Sequence, residues 1–205
     1  MKKIILLGDS TREGYDKYVK EQLNGTAEVF FPNDNCRFAL YMLRYLHVWQ
    51  KEGNWGNDAD LVHWNAGLWD ALHVLKQDVL TDVDFYAKTI KRIDERLRML
   101  FPKAKIVFAT NTPGIDERYA LTDSYRLNSE IEIYNKYALE ALADTDTVID
   151  DLYAAAKGVP ESYYIDAVHM HAPEGRKYIG DKVLNCICPL LGIHKQSDGT
   201  WKEAE

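Results

Sequence analysis

Short apolar runs alternate along the chain with longer stretches whose apolar residues recur every three or four positions. Lys3 to Leu7 has the length and composition of a strand, Gly14 to Leu23 has a helical period, and Ala27 to Phe31 reads as a second strand closed by Pro32-Asn33. From Arg37 to Gln50, the residues Phe38, Leu40, Tyr41, Leu43, Tyr45 and Leu46 fall at helical spacing. Asp60 to Ala66 predicts a third strand, and Val83 to Leu100 a helix ended by Phe101-Pro102. Lys105 to Thr110 follows as strand four, Ser124 to Leu142 as a helix and Thr147 to Ile149 as a short strand five. Pro173 to Pro189 closes the series as a helix, with its first proline suited to an opening turn.

Strands that alternate with helices need right-handed crossovers, so the expected fold is a three-layer α/β/α sandwich around a five-stranded, mostly parallel sheet. Residues 1–192 are expected to form one domain, and residues 193–205 a polar tail with a turn at Ser197-Asp198-Gly199 and no assigned function. In such a sheet, ligands bind in the crevice at the carboxyl ends of the strands. Chemistry is therefore sought just after strands one and three and before the last helix.

Bulk properties narrow the partners more than the fold. At 205 residues the chain can bury a core without staples, and no apolar run nears the ~20 residues of a membrane span. Lys2-Lys3 before Ile4 to Leu7 resembles the start of a signal peptide, but Gly8-Asp9 breaks the run too early, so it reads as a first strand. Cys36, Cys186 and Cys188 are odd in number and lack metal or redox spacing, which makes a reducing cytoplasm the simpler compartment. A net charge of −7 argues against nucleic acid and anionic membranes, leaving a neutral small molecule or sugar as the expected partner. No cofactor is implied, and the oligomeric state is left open.

Gly8-Asp9-Ser10 lies where strand one meets a helix. Its plainer reading is a helix cap, since Asp and Ser both cap well and a serine hydroxyl needs a base to become nucleophilic. Asp166-Ala167-Val168-His169 supplies such a base just ahead of the last helix: in a turn, this spacing lets the acid hold one imidazole nitrogen while the other faces a hydroxyl. The plainer alternative there is a surface turn with an incidental histidine. Trp64-Asn65-Ala66-Gly67-Leu68-Trp69-Asp70, at the end of strand three, offers an Asn65 amide to an oxyanion and a Gly67 that lets the loop approach a substrate.

Together these segments resemble the SGNH, or GDSL-like, hydrolase family over Gly8 to about Val183, a resemblance that implies flavodoxin-like topology for the sheet. The resemblance implies that Ser10 is the nucleophile, that Asp166 and His169 complete a triad, and that the Ser10 N–H helps bind the oxyanion. Asn35-Cys36-Arg37 occupies the block where the family has a glycine donating its N–H, which assigns that role to the Cys36 N–H. Asn65-Ala66-Gly67-Leu68-Trp69-Asp70 stands at the block usually written Gly-x-Asn-Asp. Alignment on Gly67 puts Trp69 at the oxyanion asparagine, so Asn65, two residues before Gly67, is taken as the side-chain donor, with the Trp69 indole N–H as the alternative. Asp9, Arg37, Gly67 and Trp69 are the expected substrate-binding residues. Arg126-Leu127-Asn128 and Tyr134-Asn135 look like the family's helix before strand five.

The implied activity is ester cleavage through an acyl-enzyme, with an acetylated carbohydrate the favoured substrate. His169-Met170-His171 could suggest a metal pair, but the sequence offers no acid or cysteine to complete a ligand set, so no metal is expected. His63 is read as a strand residue and His73 as a helix-surface one, and Arg12 as a surface ion-pair partner. Two rival readings remain: a flavodoxin-like phosphate- or cofactor-binding module that uses the helix after strand one, and a degenerate hydrolase that binds acyl sugars without turnover.

Overall fold

The structure is a computed structural model that describes residues 1–119 and 122–204. In chain order its elements are β1 (Lys2–Leu7), α1 (Ser10–Gln22), β2 (Ala27–Phe30), α2 (Ala39–Glu52), β3 (Leu61–Trp64), β4 (His73–Val74), α3 (Val83–Leu100), β5 (Lys105–Ala109), α4 (Asp116–Tyr119) and β6 (Ser124–Tyr125). There follow α5 (Asn128–Leu142), β7 (Val148–Asp150), α6 (Leu152–Ala156), a 3-10 turn at Glu161–Tyr163, α7 (Pro173–Leu190), β8 (Ile193–Lys195) and β9 (Trp201–Glu203).

The main sheet has the order β2-β1-β3-β5-β7, and all its pairings are parallel. That is the expected flavodoxin-like order, and the chain reverses its direction of travel across the sheet between β1 and β3. Alternation along β1 shows how the two faces are covered. Ile5 and Leu7 join the core under α2, α3 and α5, whereas Ile4 and Leu6 join the core under α1 and α7. A central strand buried on both faces has to be apolar throughout, and Ile4 to Leu7 are all fully buried.

Two segments depart from the sequence expectation. Ser124 and Tyr125, predicted to begin a helix, form β6 and pair antiparallel with His73 and Val74 of β4, so α5 begins only at Asn128. Tertiary contact overrides the local period here. The His73 ring stacks on Tyr125 at 4.5 Å and 6°, and its Nε2 meets Glu130 at 2.9 Å, which also moves His73 from the expected helix surface into a strand pair. The second departure is the stretch from residue 193. Read as a polar tail, it forms the β8–β9 hairpin, and Trp201 is buried in the core under α1 and α7. Glu205, also assigned to that tail, lies outside the described residues. No helix among the described residues is long and apolar enough to cross a membrane.

Candidate active site

Ser10 is the first residue of α1, and the residue capping that helix is Asp9, whose carboxylate accepts the Thr11 N–H at 2.9 Å. The plainer reading of Ser10 as a cap therefore does not hold. Its hydroxyl lies 2.7 Å from His169 Nε2, and His169 Nδ1 lies 2.6 Å from Asp166 Oδ2. The pattern fits one tautomer, in which Nδ1–H donates to the carboxylate and Nε2 accepts from the serine.

The acid–histidine half is built locally. Asp166 Oδ1 accepts the N–H groups of Val168 and His169, both at 2.8 Å, and this tight turn leaves Oδ2 for the ring. Burial alone would raise the Asp166 carboxyl, but the hydrogen bonds from the His169 ring and the two N–H groups outweigh it and hold the carboxyl below the usual range. Arg118 Nη1 donates to the Asp166 carbonyl at 3.0 Å and braces the same turn.

Several other assignments need correcting. The Cys36 N–H, expected to face an oxyanion, donates to the Gly8 carbonyl at 3.1 Å, while Cys36 Sγ accepts the Gly8 N–H at 3.3 Å. Cys36 is thus a buried bracket on the end of β1, and burial pushes its thiol up to about 12. The left-handed backbone position of this block falls on Arg37 (φ 51°), whose N–H is spent on Asn35 Oδ1 at 2.8 Å. The Arg37 guanidinium lies on the surface, 4.7 Å over the Tyr41 ring and 3.9 Å from Asp34.

Asn65 is buried, and its amide donates to Asp9 Oδ1 at 3.1 Å, so it braces the cap rather than an oxyanion. Asp9 is fully buried between Asn65 and Thr11, which removes it from the substrate-binding set. Gly67 is required for a different reason from the one expected. At φ 143°, a Cβ there would collide with the side chains of Asn111 and Tyr86, so the missing side chain serves the interior. Trp69, by contrast, is only partly buried, and its indole N–H has no partner among the described residues and, unlike those of Trp64 and Trp201, is not sealed in the interior. Its neighbour Leu68 packs with Val168, the residue before His169.

Tyr86 and Asn111, which belong to no motif, hold these loops together with Asn135 and Arg126 from the segments matched to the helix before strand five. Tyr86 and Asn111 both donate to the Ala66 carbonyl, Asn135 closes on Asn111, and Arg126 Nε donates to the Leu68 carbonyl. Arg12, expected at the surface, is 2 % exposed and clamps the loop after β2 to α1 by donating to Asp16 and to the carbonyls of Pro32 and Asp34. His63 is also buried, between Tyr15 and Asp150. A buried guanidinium with several acceptors could have been anticipated only from the distant partners it gathers.

Asp70 ties two of the loops together. Its Oδ2 accepts the Ala39 N–H at 2.9 Å and so caps α2, whose own N-cap residue Phe38 offers no side-chain acceptor. Burial raises the Asp70 carboxyl to about 6, against the opposing hydrogen bonds from Ala39 and Thr81. Because this folded-state value lies above that of an unfolded carboxyl, its stabilising contribution is full below about pH 4 and is lost as pH rises through about 6. Asp70→Asn keeps an acceptor for Ala39 and cannot ionise. Its Tm relative to the parent should therefore climb between pH 4 and 7, by roughly 5 °C for ~2 kcal/mol. A flat difference across that range overturns the assignment.

Compared by sequence, the chain matches no family model and no curated protein. Its fold does have solved counterparts. It is similar to a lipase/acylhydrolase from Enterococcus faecalis, with 20% identity, a TM-score of 0.69, and coverage of 91% of this chain and 95% of that one. A member of the lipolytic G-D-S-L family from Veillonella parvula aligns at 19% identity and TM-score 0.65, over 91% of this chain and 98% of that one. An acetylxylan esterase from Geobacillus stearothermophilus aligns at 15% identity and TM-score 0.67, over 90% and 93%. The fold is that of the GDSL-like lipases and acetylxylan esterases.

Proposed function

We propose that the protein is a serine esterase that cleaves a carboxylic ester through an acyl-enzyme, with Ser10 as nucleophile, His169 as general base and acid, and Asp166 as its orienting carboxylate. One observation carries this reading: the unbroken run of hydrogen bonds from Asp166 Oδ2 through the His169 ring to Ser10 Oγ, at 2.6 and 2.7 Å. In the first half-reaction, Ser10 Oγ bonds to the ester carbonyl carbon and its proton passes to His169 Nε2. The C–O bond to the alcohol then breaks as His169 returns the proton to the departing oxygen. Water repeats the sequence and frees the acid.

The anion formed on the carbonyl oxygen needs donors that are not already spent. The Ser10 N–H, at the positive end of α1, and the Trp69 indole N–H are the two we assign, in place of Cys36 and Asn65. An acetylated carbohydrate is the favoured substrate. The similarity to an acetylxylan esterase supports it, as does a partly exposed Trp69 ring on which a sugar face can stack.

Incubation with p-nitrophenyl acetate and a fluorophosphonate probe tests the reading. Hydrolysis, together with one phosphonyl group mapped by mass spectrometry to Ser10, is expected. A protein that neither turns over nor labels, while acetylated xylo-oligosaccharides still bind, is a non-catalytic binder. A bound flavin or phosphate in its place makes the molecule a ligand-binding module.

A further inference from the structure

His171 stands two residues beyond the proposed base, and the chemistry above makes no use of it. Its Nε2 lies 2.8 Å from the Ser10 backbone carbonyl, within the first turn of α1. The ring is half-buried and sits 5.0 Å from that of His169, centroid to centroid. Space for it exists because residue 14 is glycine. A Cβ built there would come within 2.6 Å of both Cδ2 and Nε2 of His171. Gly14 lies inside α1, where glycine weakens a helix relative to alanine. No left-handed backbone angle demands it, so the close approach of this ring is what the residue permits.

Two ties therefore join the segment 169–171 to Ser10. One runs from the hydroxyl to His169 and is broken and remade in every turnover; the other runs from His171 to the carbonyl of the same residue and takes no part in proton transfer. We propose that His171 is a positioning residue, its Nε2–H pinning the first turn of α1 against the His169 loop so that the hydroxyl and the N–H of Ser10 keep their places while the catalytic bond is open. This inference rests on the esterase reading. Burial, with the charges of His169 and Arg176 nearby, holds the His171 ring below the ordinary imidazole range despite its bond to Ser10. The neutral ring can give its single N–H to the carbonyl without placing a second cation beside the imidazolium that forms on His169.

The test uses His171→Phe, His171→Gln, Gly14→Ala and the double variant Gly14→Ala/His171→Phe in the full chain. A misplacement of about 1 Å costs on the order of 100-fold in rate. Accordingly, His171→Phe and Gly14→Ala should each lower kcat for p-nitrophenyl acetate by about 10- to 100-fold with KM within about twofold, and slow fluorophosphonate labelling in step. His171→Gln, which can restore an N–H donor, should recover most of the rate. In the His171→Phe background, Gly14→Ala should cost little more, since both changes break one bond.

Imidazole nitrogen NMR shifts of His169 report the Ser10 hydrogen bond without turnover. They should move in His171→Phe and Gly14→Ala and return in His171→Gln. Wild-type protein that neither hydrolyses nor labels sinks the esterase reading, and the His169 shifts then decide the positioning role alone. Active wild type with unchanged kcat and unchanged shifts in His171→Phe and in Gly14→Ala overturns the positioning role. So does a loss shared equally by Phe and Gln, or full additivity in the double variant.

Discussion

Ser10→Ala is expected to lower kcat for ester cleavage by on the order of 10⁶-fold while leaving the melting temperature where it was. The size follows from removing the atom proposed to bond to the substrate. The unchanged stability follows from the local structure. Among the described residues the hydroxyl hydrogen-bonds only to His169, and the helix it opens is capped by Asp9. Were Ser10 the cap, its loss would cost ~1 kcal/mol. Asp9→Ala should show that cost instead, because Asp9 also holds Asn65. His169→Ala should match Ser10→Ala, and the double variant should be no slower than either alone, since the two act as a unit. Rates on p-nitrophenyl acetate with melting curves decide the matter; a Ser10→Ala protein that retains turnover removes the nucleophile.

Asp166→Asn is expected to cost about 10⁴-fold in kcat, also with the fold intact. The carboxylate has two tasks that this substitution separates. Oδ1 accepts two N–H groups and closes the turn, and an asparagine oxygen can continue to do so. Oδ2 accepts from His169 Nδ1, and an amide nitrogen there presents hydrogens where a lone pair is required. The ring would then adopt the other tautomer and turn a proton toward Ser10, which leaves it no capacity to act as base. Asp166→Ala should add a loss of stability because the turn also opens. An Asp166→Asn enzyme with wild-type kcat would show that the acid serves the turn alone.

How far the site was legible depends on how far apart its parts lie. The Asp166–His169 pair could be read from the sequence because three residues and one turn close it. The alternation of strands and helices was equally readable, since buried parallel strands need continuous apolar runs and covering helices need one apolar stripe. Cys36 and Asn65 were misassigned for a shared reason. Each carries a donor of the right type in the right loop, but the donor is spent on a partner 28 or 56 residues away, on Gly8 and Asp9. Arg12 reads from the sequence only as an ion-pair partner and His171 only as half of an incomplete metal pair, because what distinguishes them is burial and a carbonyl supplied by another segment.

The order along the chain of the five sheet strands and the long helices that cover them, the parallel sheet and the three segments around its carboxyl edge were determined by the sequence, for these follow from periodicity and short-range turn chemistry. Tertiary structure alone decided that Ser10 and His169, 159 residues apart, share a hydrogen bond, and that the Cys36 N–H and the Asn65 amide are spent on Gly8 and Asp9. The physical reason is that every buried polar group must find a partner, and only the packed chain settles which group reaches which.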